Sequence, residues 1–172
     1  GNSVSVKLSA IHPKYWRAKY DRVIDELYPR VKELFLLAQK YNISVNIDAE
    51  EASRLELSLD LVEKLLDEPE LKGYKGIGYV VQAYSKRCPF VLDYLINLAR
   101  EKDGYLMIRL VKGAYWDSEV KWAQADGLDG FPLYTRKNHT DISYIACAKK
   151  LLAAQDVIYP QFATHNVQTM CT

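Results

Sequence analysis

The feature that most constrains this chain is an alternation of short apolar segments with longer stretches of helical period. Six segments, residues 4–10, 44–47, 77–82, 106–111, 131–134 and 158–163, are apolar or β-branched and bounded by polar or turn residues, so each reads as a buried strand. Between them, Ala52, Leu55, Leu59, Val62 and Leu66 advance by steps of three and four, which predicts a helix with one apolar face. Residues 23–40, 89–100, 117–125 and 141–154 are further helical candidates. Pro29 is expected to start a new turn or kink the first of these, whereas Pro89 suits a first turn, where a missing N–H costs little. Asp67-Glu68-Pro69 and the run from Asp126 to Gly130 read as stops. Strand and helix therefore alternate every few tens of residues, which favours parallel strands joined by helical crossovers and an α/β class.

Composition narrows the function. With 23 basic against 22 acidic side chains and a net charge of +1, the chain has no general field for a nucleic-acid backbone. No apolar run approaches the about 18 residues that a membrane span needs. Cys88, Cys147 and Cys171 show no paired spacing, so neither a zinc site nor a disulfide framework is expected and a reducing compartment is the default. The first residues carry no basic and apolar leader, so no secretory signal is read. No repeat or linker divides the 172 residues, which read as one piece of one domain.

The polar residues at the end of each apolar segment are more informative. Lys7 lies within the first, Asp48 and Glu50 come after the second, and Gln82 with Tyr84 ends the third. Arg109 and Lys112 flank the end of the fourth, Thr135-Arg136-Lys137 comes after the fifth and Thr164-His165-Asn166 after the sixth. In a parallel α/β barrel the C-terminal strand ends share one face and these groups would form one site, whereas a doubly wound sheet would gather only those near its switch point. Each group also has a plainer reading. Asp48 fits a helix N-cap, Arg109 a structural ion pair, Arg136-Lys137 a solvated pair and His165 a bonded core imidazole. Tyr115, Trp116 and Trp122 fit packing roles. Glycine-rich nucleotide fingerprints, a nucleophile elbow and a helical histidine pair are absent from the sequence, so no metal site is expected.

The strand-end motifs VSVKLSA at 4–10, IDAEEA at 47–52, VVQAY at 80–84, RLVKGAYWD at 109–117, YTRK at 134–137 and FATHN at 162–166 together resemble the proline dehydrogenase family. The likeness extends to the proline dehydrogenase domain of bacterial bifunctional proline utilization proteins. It runs through nearly the whole chain, and the run from Arg109 to Asp117 is its most specific part. The resemblance implies a (β/α)8 TIM-type barrel of which this chain carries about six of the eight βα units, the last strands and terminal helix being absent. It implies FAD across the strand ends, oxidation of L-proline to Δ1-pyrroline-5-carboxylate by hydride transfer from C5 to flavin N5, and a membrane quinone as electron acceptor. By matching motifs, Gln82, Arg109, Val111, Gly113, Ala114, Tyr115 and Trp116 would line FAD with Thr135, Arg136, Lys137, Thr140, Ala163, Thr164, His165 and Asn166. Lys7 would meet the proline carboxylate with Asp48 close by, and Arg109 would be the catalytic group, tuning N5 and C4=O. A cytoplasmic protein, able to sit peripherally at the inner membrane and joined to other domains, is also implied. Two other readings stay open: a Schiff-base aldolase barrel using Lys112 or Lys137, and a non-catalytic fragment that packs within a larger protein.

Overall fold

In a computed structural model that describes residues 2–171, five strands form one parallel sheet in the order β1-β2-β3-β4-β5. They are β1 (Ser3–Val6), β2 (Ser44–Ile47), β3 (Ile77–Gln82), β4 (Leu106–Val111) and β5 (Ile158–Phe162). The helices are α1 (Leu8–Ile11), α2 (Tyr20–Glu26), α3 (Tyr28–Lys40), α4 (Leu55–Asp67), α5 (Cys88–Glu101), α6 (Trp116–Ala125), α7 (Lys137–Leu152) and α8 (Val167–Met170). The α/β class and parallel sheet expected from the alternation are present.

Several boundaries differ from the sequence reading, each for a local reason. Residues 131–134 are not a strand. Leu133 makes only an isolated antiparallel bridge to Ser85, and Pro132, which has no N–H, accepts there from Lys86 at 3.0 Å. The sheet therefore has five strands where six were expected. The first strand stops at Val6, because Leu8 turns into α1 and buries itself in the core. The helix expected over 23–40 is two helices meeting at Leu27, with Pro29 in the first turn of the second. Helix α7 begins at Lys137, four residues earlier than the apolar pattern suggests. In α4 the buried face is centred on Leu57, Leu61, Val62 and Leu65, and Leu55, Leu59 and Leu66 of the predicted stripe pack partly buried at the edge of the core, while Ala52 belongs to a preceding 3₁₀ turn, Ala52–Arg54. The stops at Asp67 and Ala125 and the start beside Pro89 fall where expected.

The two faces of the sheet differ. Val45, Ile47, Ile77, Tyr79, Val81, Leu106, Ile108, Leu110 and Ile158 join one apolar core with α3, α4, α5 and α7. The alternate positions belong to the other face, where Ser5, Asn46, Gly78, Gln82, Arg109 and Gln161 are interspersed with Val80, Met107, Val111 and Tyr159. Asn46 is buried and donates to Ser3 Oγ at 3.0 Å, and Gly78 in the neighbouring strand makes room for it. A Cβ on Gly78 would lie 2.3 Å from Asn46 Oδ1.

Strand order follows chain order without reversal, so the sheet has no switch point and cannot gather a ligand as a doubly wound sheet does. It curls instead. Arg109 on β4 donates to Ser5 Oγ on β1 at 3.0 Å. Laid flat, those strands would be three spacings of about 4.8 Å apart, farther than an arginine side chain reaches. The concave polar face is thus the inside of an arc of a (β/α) barrel, and the C-terminal strand ends point to one rim.

Candidate active site

Each strand delivers its polar residue to that rim at the point where it leaves the sheet. Lys7 is the first residue past β1, Asp48 the first past β2, Gln82 the last of β3, and Arg109 and Val111 close β4. The loop 112–115 succeeds β4, and Ala163, Thr164, His165 and Asn166 lie between β5 and α8. All of these line one open hollow of about 660 Å³, together with Ala49, Val80 and Lys137. Residues far apart along the chain meet there because parallel strands put their C-terminal ends side by side.

Arg109 sits at the centre. One guanidinium nitrogen reaches Ser5, and the other pairs with the Asp48 carboxylate, both side chains being about a quarter exposed. Two anchors on different strands hold the fork in one orientation, which a flexible lysine would not share. The plainer reading of Asp48 as a helix cap does not hold: the next 3₁₀ turn starts after Glu51, and the Asp48 carboxylate is engaged by Arg109. The ion pair expected of a buried arginine is present, and it stands inside the hollow.

The neighbouring loops are tied into a ring. Lys7 Nζ donates to Tyr115 OH at 3.3 Å and lies 5.7 Å from the centre of that ring, and the bond holds its ammonium pKa above the ordinary lysine value. Gln82 donates to the Glu50 carbonyl at 3.0 Å and accepts from the Ala114 N–H at 3.2 Å, clamping the loops after β2 and β4. Gly113 has φ +144°, a region L side chains avoid, and a Cβ there would lie 2.4 Å from the buried Tyr84 ring. Gly113 is therefore the residue that can pass over the Tyr84 ring, and it and Ala114 are exposed where the loop lines the hollow. On the far wall, Lys112 and Lys137 both donate to Asp141, which pulls its carboxyl below the usual aspartate range. The partner of each lysine is a carboxylate, whereas a Schiff-base lysine is activated by a neighbouring cation.

Four of the residues matched by motif do not line the hollow. Trp116 is half-exposed and donates its indole N–H to the Tyr134 carbonyl at 3.2 Å. Thr135 and Arg136 are exposed at the entry to α7, and Thr140 is buried in its first turn. His165 is exposed at the lip, not a core imidazole, and Trp122 is likewise half-exposed. Sequence reasoning missed Ser5, the second anchor of Arg109, and Ala49 and Val80 of the lining. Strand alternation puts Ser5 on the face of Lys7, which was a usable signal. Glu50 was noted only as a strand-end acid. Its carboxylate accepts from Ser9 N at 3.1 Å and Arg54 at 2.6 Å, joining the loops after β1 and β2.

Chemically, the hollow offers fixed cations at Lys7, Arg109 and the Lys112–Lys137 wall, with bare backbone at Gly113. That donor set suits an anionic ligand with a flat, hydrogen-bonding edge.

Comparison with known proteins agrees with the fold. A family model described as Proline dehydrogenase matches residues 1–172. The bifunctional protein PutA of Klebsiella aerogenes is 68% identical over 170 residues, covering 99% of this chain and 13% of that protein. Proline dehydrogenase 2 of Bacillus subtilis (strain 168) is 32% identical over 143 residues, 83% of this chain and 39% of that one. Among solved structures, a mutant of Bradyrhizobium japonicum proline utilization A superposes with TM-score 0.95 at 52% identity, covering 98% of this chain and 17% of that chain. Proline utilization A from Bdellovibrio bacteriovorus inactivated by N-propargylglycine gives 0.92 at 38% identity, over 97% and 17%. The chain spans 13% to 14% of the length of the bifunctional relatives it matches.

Proposed function

This chain belongs to the proline dehydrogenase family, and from that premise we propose that its strand-end hollow is most of the site at which a longer, bifunctional polypeptide oxidises L-proline to Δ1-pyrroline-5-carboxylate. The observation that carries the reading is the convergence of Lys7, Asp48 and Arg109 with the 112–115 and 163–166 loops on a single cavity. Remaining strands of the barrel and the rest of the substrate clamp would come from other parts of that polypeptide.

The residues present fit FAD. Gly113 and Ala114 leave backbone exposed where a flat ring could approach, and a side chain on Gly113 would have no space. Lys112 and Lys137, with Arg136 at the entry to α7, supply the positive charge for a pyrophosphate that a glycine-rich loop supplies elsewhere. Gln82, Val111, Tyr115, Ala163, Thr164, His165 and Asn166 would complete the cradle, with Trp116, Thr135 and Thr140 behind it. When bound, the flavin supplies the two-electron acceptor for hydride from proline C5, which a membrane quinone would later reoxidise.

The chain's own residues do the rest. Lys7, an ammonium stabilised by Tyr115, would hold the proline carboxylate at the edge of the hollow. Arg109, fixed by Ser5 and Asp48, would present donors to the negative charge that develops on the hydride acceptor, and would need no reorganisation to do so. No residue of this segment is assigned as the acceptor of the proline N–H proton. The reading places the protein in the cytoplasm with a peripheral encounter at the inner membrane; among the described residues no helix is long and apolar enough to cross one.

The test is the absorbance spectrum of the full-length protein, recorded before and after anaerobic addition of proline. A flavin spectrum that bleaches is expected. A colourless protein, or flavin that proline does not reduce, would overturn the proposal.

A further inference from the structure

Cys88 opens α5 and Cys147 lies in α7, 59 positions apart in sequence, yet their Sγ atoms are 3.4 Å apart. Each thiol is 1% exposed, and the contact forms part of the core. The register that joins them is pinned from outside. Lys150, on the next turn of α7, donates to the Pro89 carbonyl at 3.2 Å and to the Asp93 carboxylate at 2.7 Å, both on α5. A charged clamp one turn from the sulfurs holds the two helices at one relative height, so the thiols stay neighbours as side chains move. The proline chemistry proposed above uses neither sulfur.

The geometry points to Cys88 and Cys147 as a dithiol that hydrogen peroxide converts to a disulfide stapling α5 to α7. A disulfide needs the sulfurs about 2.05 Å apart, so a closing movement of little more than 1 Å completes it. Cys147 is the attacking sulfur. Donation from the Cys88 thiol, with the Lys150 ammonium nearby, holds its pKa below the ordinary thiol range. Its thiolate attacks one peroxide oxygen, the O–O bond breaks, and the departing hydroxide takes a proton to leave as water. Cys88 sulfur then attacks the sulfenic sulfur of Cys147, the S–S bond forms, the S–O bond breaks, and a second water leaves with the Cys88 proton. The two thiols lose two electrons and the peroxide gains them. Burial sets the class of oxidant: a small peroxide enters through local opening of the helix pair, which a bulky disulfide reagent does not. Cys171, exposed and far along the chain, serves as an internal comparison.

The experiment uses the full-length protein that carries this segment, treated with hydrogen peroxide, alkylated in denaturant and digested without reductant. A cross-linked pair of peptides containing Cys88 and Cys147, lighter by two hydrogens than their sum, is expected. The unfolding midpoint should rise by about 4 °C or more and return on addition of dithiothreitol. In C88S, Cys147 should instead accumulate as a sulfenic acid trapped by dimedone. Alkylation of both thiols after peroxide has oxidised Cys171 would overturn the proposal, as would a cross-link that leaves the midpoint unchanged. If C88S fails to fold, the cross-link and midpoint of the unaltered protein still decide the matter.

Discussion

Replacing Gly78 by alanine tests the account of the concave face. The new Cβ would lie 2.3 Å from Asn46 Oδ1, 2.7 Å from its Cγ and 3.0 Å from the Val45 carbonyl. Asn46 is 1% exposed and its amide donates to Ser3 Oγ, so it cannot retreat without losing that bond. Forcing a methyl into a filled layer costs about 1–3 kcal/mol, and displacing a buried amide from its partner adds about 1–3 kcal/mol. Against this, Gly→Ala stiffens the unfolded chain by about 0.4–1 kcal/mol. The expected net loss is about 1–6 kcal/mol, or about 2–24 °C in the midpoint of a domain this size. Thermal unfolding of G78A, N46A and the double variant measures it. Because the two shortest contacts are with the Asn46 side chain, removing that side chain should relieve most of the clash, leaving the Val45 carbonyl, and the two substitutions should couple by more than about 1 kcal/mol. A G78A protein within about 0.5 kcal/mol of the original, or strict additivity, would refute the claim that Gly78 exists to admit Asn46.

The same geometry sets three other outcomes. Arg109→Met removes the donors held by Ser5 and Asp48, and anaerobic stopped-flow reduction of the flavin by proline should slow by about 10²-fold or more while the circular dichroism stays native; unchanged kinetics would remove the role. Tyr115→Phe deletes the acceptor of the Lys7 bond, so KM for proline should rise about two- to fivefold with kcat little changed, and a fall confined to kcat would place Tyr115 elsewhere in the reaction. Asp141 is depressed in the folded protein by Lys112 and Lys137, so its contribution to stability is complete above the unfolded value of 3.8 and is lost as pH falls through the lower folded value. Denaturant titrations of D141N should therefore lose less stability than the original between about pH 5 and pH 3, and parallel curves would contradict the ion-pair assignment.

Much of the candidate site was legible from strand ends alone. Of the polar residues that come at or just after the apolar segments, Lys7, Asp48, Gln82, Arg109, Lys112, Lys137, Thr164, His165 and Asn166 line the hollow, whereas Glu50, Tyr84, Thr135 and Arg136 do not. The rule worked because a parallel strand needs apolar residues along its length and releases that demand where it leaves the sheet. It misread residues 131–134 because four apolar or aromatic residues look alike whether they pair in a ladder or cross a loop mouth, and Pro132 is the sign that separates the two cases.

Local pattern by itself determined the α/β class, the helix stops at Asp67 and Ala125, the start beside Pro89 and the division of polar from apolar positions. These depend on neighbours within a turn or two, whose spacing the sequence states directly. Tertiary structure decided that Arg109 meets Ser5, that Gly78 shelters Asn46, that Lys112 reaches the Asp141 already paired with Lys137 four residues before it, and that Cys88 lies against Cys147. Each of those pairs depends on the curl of the sheet or the height of one helix against another. Such quantities come from packing the whole core at once, and no window of sequence contains them.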